Sequence, residues 1–134
     1  MLKLRETFWR WAALELAAKP RLVAWLLRRA QKRPFEHLEG YMNRWWLVEP
    51  GGFLNFFLPA MRFHQILRAD NDRHPHDHPW AFRSIILRGA YVEERLFDGY
   101  KSWLARTVGT TYRMEFGDYH RISNVAHRGV LTLC

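Results

Sequence analysis

The stretch Gly109-Thr110-Thr111-Tyr112-Arg113-Met114-Glu115-Phe116-Gly117-Asp118-Tyr119-His120-Arg121-Ile122-Ser123-Asn124 decides how this chain is read. Thr110 to Phe116 is a run of β-branched and aromatic residues, and Gly117-Asp118 supplies a turn where positive φ or a side-chain cap is needed. His120 to Ser123 then reads as another strand, with a histidine at its start. A strand, a glycine turn and a histidine-bearing strand are the unit from which the rest is worked outward.

The same texture extends in both directions. Phe53 to Leu58, Met61 to Leu67, Ala81 to Arg88, Ala90 to Leu96, Ser102 to Val108 and Val130 to Leu133 also read as strands. Gly52, Pro59, the Asp70-Asn71-Asp72 cluster, Gly89, Asp98-Gly99 and Gly109 separate them. About eight short antiparallel strands predict a small sandwich or barrel, of which a jelly roll is one solution. No internal repeat or low-complexity tract interrupts them.

Residues 1–33 differ in kind. Ala12, Ala13, Leu14, Glu15, Leu16, Ala17 and Ala18 are good helix formers, and helix is expected to about Lys32. Pro20 divides the segment into two helices or kinks one. Phe8, Trp9, Ala12 and Leu16, then Leu22, Val23, Leu26 and Leu27, recur at three- and four-residue spacing and give each half an apolar stripe. These stripes are expected to pack on the domain or on a second copy; docking to a protein partner, an anionic membrane surface or nucleic acid are the alternatives. The chain thus divides into a basic amphipathic helical segment, 1–33, and a β-barrel domain, 34–134.

Composition bounds these readings. With 134 residues, 49% apolar and 25% charged, the chain is one globular domain and too apolar to be disordered. Arg10, Glu15, Lys19, Arg21 and Arg28 break up the only candidate membrane span. The single cysteine, Cys134, cannot form an internal disulfide, and no leader-like pattern opens the chain, so a cytoplasmic protein is expected. The net charge of +8 suggests nucleic acid, but nine basic and two acidic residues lie in 1–33 against 12 and 11 in the remainder. The basic character belongs to the helices, and the barrel is judged by its site chemistry.

That chemistry centres on histidine. Five of the seven histidines are His74, His76, His78, His120 and His127, and three fall in His74-Pro75-His76-Asp77-His78-Pro79. Alternate residues of an extended strand share a face, so His76 and His78 can offer two imidazoles to one ion, with His120 placed to complete the site. Packed or surface histidines are the competing reading. His64 faces either the same cavity or the core; His74 reads as loop, and His127 as a proton donor beside the site or as surface. Trp45, Trp46, Trp80 and Trp103 read as core. Arg83 and Arg88 either flank the barrel mouth, where they would attract an anionic substrate, or lie on a solvated strand face.

The spacing of these residues resembles the cupin superfamily, whose motifs read G-x5-H-x-H-x3,4-E-x6-G and G-x5-P-x-G-x2-H-x3-N. Gly109, Gly117, His120 and Asn124 reproduce the second motif, with Glu115 in place of proline. In the first, His76, His78 and Gly89 are in register, Asp70 takes the leading glycine position and Phe82 the glutamate position. The segment 70–80, with Gly89-Ala90-Tyr91-Val92-Glu93-Glu94, is also similar to uncharacterised cupin-like proteins of phages and prophages, in which an acidic residue usually follows Pro-Trp; here it is Ala81.

The resemblance implies a small cupin-type jelly-roll barrel after the helices, with His76, His78 and His120 as ligands of a divalent transition metal, Fe foremost and Zn or Ni next. A carboxylate could still come from Asp77 or Glu93. Tyr91 and Glu93 share a face, with Glu94 pointing outward, and Tyr91, Glu93 and His127 are the candidate catalytic proton carriers. A non-haem iron dioxygenase-type enzyme acting on a small molecule in the barrel is one expectation, with precedent in the three-histidine thiol dioxygenases. A non-catalytic metal- or ligand-binding module is the other, acting as a phage or prophage accessory through its N-terminal helices. Cupins commonly dimerise, so a homodimer is expected.

Overall fold

The computed structural model describes residues 1–70 and 74–134; of the Asp70-Asn71-Asp72 turn, Asn71 and Asp72 lie outside the described residues. Two helices lead, α1 (Leu2–Ala17) and α2 (Pro20–Ala30). Pro20 occupies the first turn of α2, where its missing N–H costs nothing, so it starts a second helix instead of kinking a single one. No helix among the described residues is long and apolar enough to cross a membrane.

Among the described residues eight strands follow: β1 (Met42–Val48), β2 (Met61–Ile66), β3 (Phe82–Arg88), β4 (Ala90–Phe97), β5 (Tyr100–Thr107), β6 (Thr111–Met114), β7 (Tyr119–Val125) and β8 (Val130–Leu133). They form a five-stranded sheet, β1-β2-β8-β3-β6, and a three-stranded sheet, β5-β4-β7. All named pairings are antiparallel. This is the expected mainly β barrel behind a helical segment, with two corrections. Phe53 to Leu58 is not a strand: Phe53–Phe56 forms a 3-10 turn, closed by Asn55, which accepts from Gly51 N at 3.1 Å and donates to Leu58 O at 3.0 Å. The strand missing from the sequence reading is β1.

Period two divides the five-stranded sheet into two faces. Trp45, Phe63, Ile85, Leu87, Leu131 and Leu133 face outward against Ala13 of α1 and Val23 and Ala30 of α2, in one core. The helices therefore pack on the barrel itself, although Phe8 and Leu22, assigned to their stripes, are exposed. Ile66, Ile86 and Val130 face inward and meet Tyr91 and Ile122 of the other sheet. Residues two positions along from these, His64, Ser84 and Thr132, also face inward and give the barrel a polar interior.

Two glycines fix the joints. Gly89 alone connects β3 to β4, at φ +72°, and a Cβ there would lie 2.2 Å from the carbonyl oxygen of Gly129. Gly109, at φ +82°, turns β5 into β6 directly beneath Leu14 of α1. Both positions require the left-handed backbone that glycine adopts without strain.

Candidate metal centre

His76 and His78 lie between β2 and β3, in a segment tied to β7 by a reciprocal backbone pair. His76 N donates to His120 O and His120 N to His76 O, each at 2.9 Å. This bridge extends the three-stranded sheet by one residue and places the histidines side by side. One ring nitrogen from each of His76, His78 and His120 lies within 4.8 Å of the others. The Nε2 atoms of His78 and His120 are 2.9 Å apart.

His120 is oriented from behind. Its Nδ1 lies 2.9 Å from Oε1 of Glu93, a fully buried carboxylate. Glu93 also accepts from Arg106 Nε at 2.7 Å and Arg95 Nε at 3.2 Å. Burial pushes the Glu93 carboxyl up, but the His120 hydrogen bond and the two guanidinium groups outweigh it and hold it at about 2. An ionised Glu93 accepts a hydrogen bond from the Nδ1–H of His120 and leaves the Nε2 lone pair turned toward His78. Such a carboxylate behind a histidine is the usual support of a metal-ligating imidazole. His78 is held neutral: burial first, then His120, His76 and Arg62, lower it to about 4, against an opposing pull from Asp77.

The glutamate position of the first motif carries Phe82, whose ring meets that of His78 edge-on at 4.9 Å. Among the described residues no carboxylate joins the three histidines, Asp77 included. Glu93 bears on the site through His120. Glu94, on the opposite face of β4, is ion-paired with Arg121 and Lys101.

Tyr91 lies deeper on the same face as Glu93. Its hydroxyl is hydrogen-bonded to that of Tyr112, and burial, followed by Tyr112 and Glu93, raises its pKa well above the ordinary value. The Tyr112 ring in turn carries Arg106 at 3.9 Å, so Tyr91, Tyr112, Arg106, Glu93 and His120 form one connected chain.

Several side chains stand elsewhere than the sequence suggested. His127 is exposed in the turn after β7, seven residues beyond His120. His64 faces the cavity, with Nδ1 3.7 Å from Cys134 Sγ and Nε2 buried without a hydrogen-bond partner among the described residues. Trp80 and Trp103 are exposed and are not core residues. Arg83 is ion-paired with Glu6 of α1. Sequence reasoning did not find Arg95 and Arg106. Arg95 was within reach, being two residues from Glu93 on one strand, but Arg106 enters only through the β4–β5 register, in which it faces Tyr91.

The sequence matches no known family description and no curated protein. Solved structures do match. Hydroxypropylphosphonic acid epoxidase from S. wedmorenis superposes with a TM-score of 0.59 at 13% identity, over 78% of this chain and 55% of that one. Oxalate decarboxylase of Bacillus subtilis gives 0.56 at 15% identity, over 76% of this chain and 26% of that one. Drosophila melanogaster CENP-C, in a structure bound to CAL1, gives 0.61 at 14% identity, over 87% and 94%. This chain thus spans about a quarter of the decarboxylase and about half of the epoxidase. At these identities the likeness is one of fold, a cupin-type jelly roll, and a fold of this kind does not fix an activity.

Proposed function

We propose that this protein is a metal-dependent cupin in which His76, His78 and His120 hold a divalent transition ion, Fe first and Zn or Ni next, and that it carries out a non-haem iron dioxygenase-type reaction on a small molecule in the barrel. The observation that carries the reading is the ionised Glu93 behind His120, which leaves two Nε2 atoms facing each other at 2.9 Å. That spacing suits neighbouring ligands about 2.0–2.1 Å from one ion. Among the proteins of like fold, the epoxidase is described with Fe(II) and the decarboxylase with Mn(II) centres.

A bound ion of this kind supplies Lewis-acid or one-electron chemistry at an open coordination face. The chain's own residues do the rest. Glu93 is a positioning residue, holding the Nδ1 proton of His120 and fixing its ring. Arg95 and Arg106 keep Glu93 ionised. Tyr91 retains its phenolic proton and closes the inner end of the chain through Tyr112. Phe82 covers one edge of His78 with an apolar wall where a carboxylate ligand would otherwise stand.

The test is metal content by plasma mass spectrometry of tag-free protein, against a His78→Ala/His120→Ala double variant. Near-stoichiometric metal lost in the variant supports the site, and oxygen consumption with candidate substrates then tests the reaction type. Folded protein that neither carries nor takes up metal overturns the reading, leaving the 2.9 Å contact as an imidazole–imidazole hydrogen bond.

A second reading is favoured by the CENP-C comparison, which covers nearly the whole of both chains and concerns a protein bound to a protein. On it the barrel is a non-catalytic ligand or protein-binding module, such as a phage or prophage accessory, working as a homodimer or through its helices. The exposed Leu2, Leu4, Phe8 and Trp11 of α1 suit a protein partner better than nucleic acid. Metal-free protein forming a stable dimer in sedimentation would favour it.

A further inference from the structure

A cleft of about 630 Å³ opens where α1 crosses the end of the five-stranded sheet, a volume suited to a small-molecule ligand. It is two-sided in chemistry. Trp9 and Leu16 of α1 line it together with Trp46, Trp80 and Phe82, and Arg5, Arg62, Arg83 and Arg113 also lie in its walls. No acidic residue lines it among the described residues.

Two of these charges are already answered, Arg83 by Glu6 and Arg113 by Glu115. Arg62 is different. No carboxylate lies within ion-pair distance of it among the described residues, and its guanidinium carbon instead sits 5.4, 5.5 and 5.8 Å from the ring centres of Phe35, Trp46 and Trp80. Aromatic faces hold and partly dehydrate a guanidinium without neutralising it. A planar donor fork held this way is shaped for a carboxylate. Burial acts in the same sense, lowering the Arg62 pKa, a cost that a bound anion would relieve.

We propose that this cleft binds a small amphipathic anion, an aromatic ring system bearing one carboxylate head group, with the head group on Arg62 and the rings between Trp9, Trp46 and Trp80. The occupant needs α1 as one wall, so the site exists only because the helices dock on the barrel. It does not depend on the three histidines holding a metal.

The test is calorimetric titration of the full-length protein, with chelator present, using naphthalene carboxylate, the matching naphthalene methanol and the matching naphthylmethylamine. The carboxylate is expected to bind, more weakly as salt rises, and better than the alcohol or the amine. Arg62→Met is expected to weaken the carboxylate about tenfold to a hundredfold, the range of a hydrogen-bonded charge pair, and to leave the alcohol nearly unchanged. Ala12→Trp fills the cleft from the α1 side without touching Arg62 and is expected to abolish binding, which keeps the test informative should Arg62→Met fail to fold. His120→Ala, which leaves His78 in place against Phe82, is expected to bind as the wild type does. Equal affinity for all three probes, no carboxylate binding, or a loss that follows His120 instead of Arg62 and Ala12 would overturn the proposal.

Discussion

Glu93 and His120 are joined by a 2.9 Å contact between Oε1 and Nδ1, across the pairing of β4 with β7, and both side chains are buried. The carboxylate serves two sets of partners at once. It fixes the imidazole on one side and accepts from Arg106 and Arg95 on the other. Glu93→Gln keeps the shape and removes the charge. The expected outcome is a 10- to 100-fold loss of metal affinity, the usual effect of losing a partner behind a metal ligand. Arg106 would be left without its counter-charge, while Arg95 keeps Asp118 at 4.0 Å, and the loss should also cost about 3–5 kcal/mol of stability. Metal titration and urea unfolding of the metal-free protein read the two effects separately.

His64 gives a pH dependence with a definite sign. Burial, then Arg62, Arg44 and His78, depress its folded pKa to about 3, against an ordinary value of about 6.5. Between these values the unfolded chain binds a proton that the folded chain refuses. Stability is therefore unaffected by His64 above about pH 6.5 and falls as pH drops from there toward 3, by up to about 1.4 kcal/mol per pH unit. His64→Phe should reduce the slope by about half a proton at pH 6.5, rising to nearly one proton at pH 5, measured by urea unfolding of metal-free protein. An unchanged slope would mean that His64 is protonated in the folded barrel.

The parts of this fold that were legible in the sequence are those where one residue type has one physical use. Gly89, Gly109 and Gly117 all take positive φ, and strand limits drawn at them agree with the structure to within a few residues. Phe53 to Leu58 was misread because an apolar run without alternation does not distinguish a strand from an exposed turn, and the side-chain bonds of Asn55 that close the turn leave no periodic trace. β1 was missed because Trp45, Trp46, Leu47 and Val48 are consecutive apolar residues, so no period-two alternation marks the strand.

The histidine cluster was legible because His76 and His78 are two residues apart and His120 falls in a spaced motif. Period two correctly put Tyr91 and Glu93 on one face, but it could not show that Glu93 meets His120, since that contact depends on the register between β4 and β7 and on its bulge at Val92/Glu93. The α1 cleft was beyond reach altogether. Its walls come from segments some 70 residues apart, brought together only by docking of the helix.

Gly89 offers a test of the joint itself. Alanine there must adopt φ +72°, which costs about 1–2 kcal/mol for an L-residue. Its Cβ would also meet the Gly129 carbonyl oxygen at 2.2 Å, so the β3–β4 connection or the turn before β8 has to shift. Gly89→Ala is expected to destabilise by more than the backbone term alone and to lower metal uptake by displacing β4, which carries Glu93. Gly99→Ala is the control: it has a similar φ of +78° but open space around the new Cβ, and should show the backbone term without the loss of metal. Equal effects on metal uptake would break the link between the joint and the site.

Ala13 tests whether the helices are an appendage or part of the barrel's core. It is fully buried in α1, within the same cluster as Trp45, Phe63 and Leu131 of the sheet. Ala13→Asp puts an unpaired carboxylate into that layer, at a cost of about 3–5 kcal/mol, a large part of the stability of a domain this size. Because the helices cover the outer face of β2, β8 and β3, the strands and helices should unfold in one transition, with far-ultraviolet and near-ultraviolet circular dichroism coincident and the midpoint lowered in both. Trp11→Ala, on the exposed side of the same helix, should move the midpoint little. If Ala13→Asp instead releases the helices while the near-ultraviolet signal and metal uptake persist at the original midpoint, the barrel is an independent folding unit, and the cleft lined by Trp9 and Leu16 is not required for its stability.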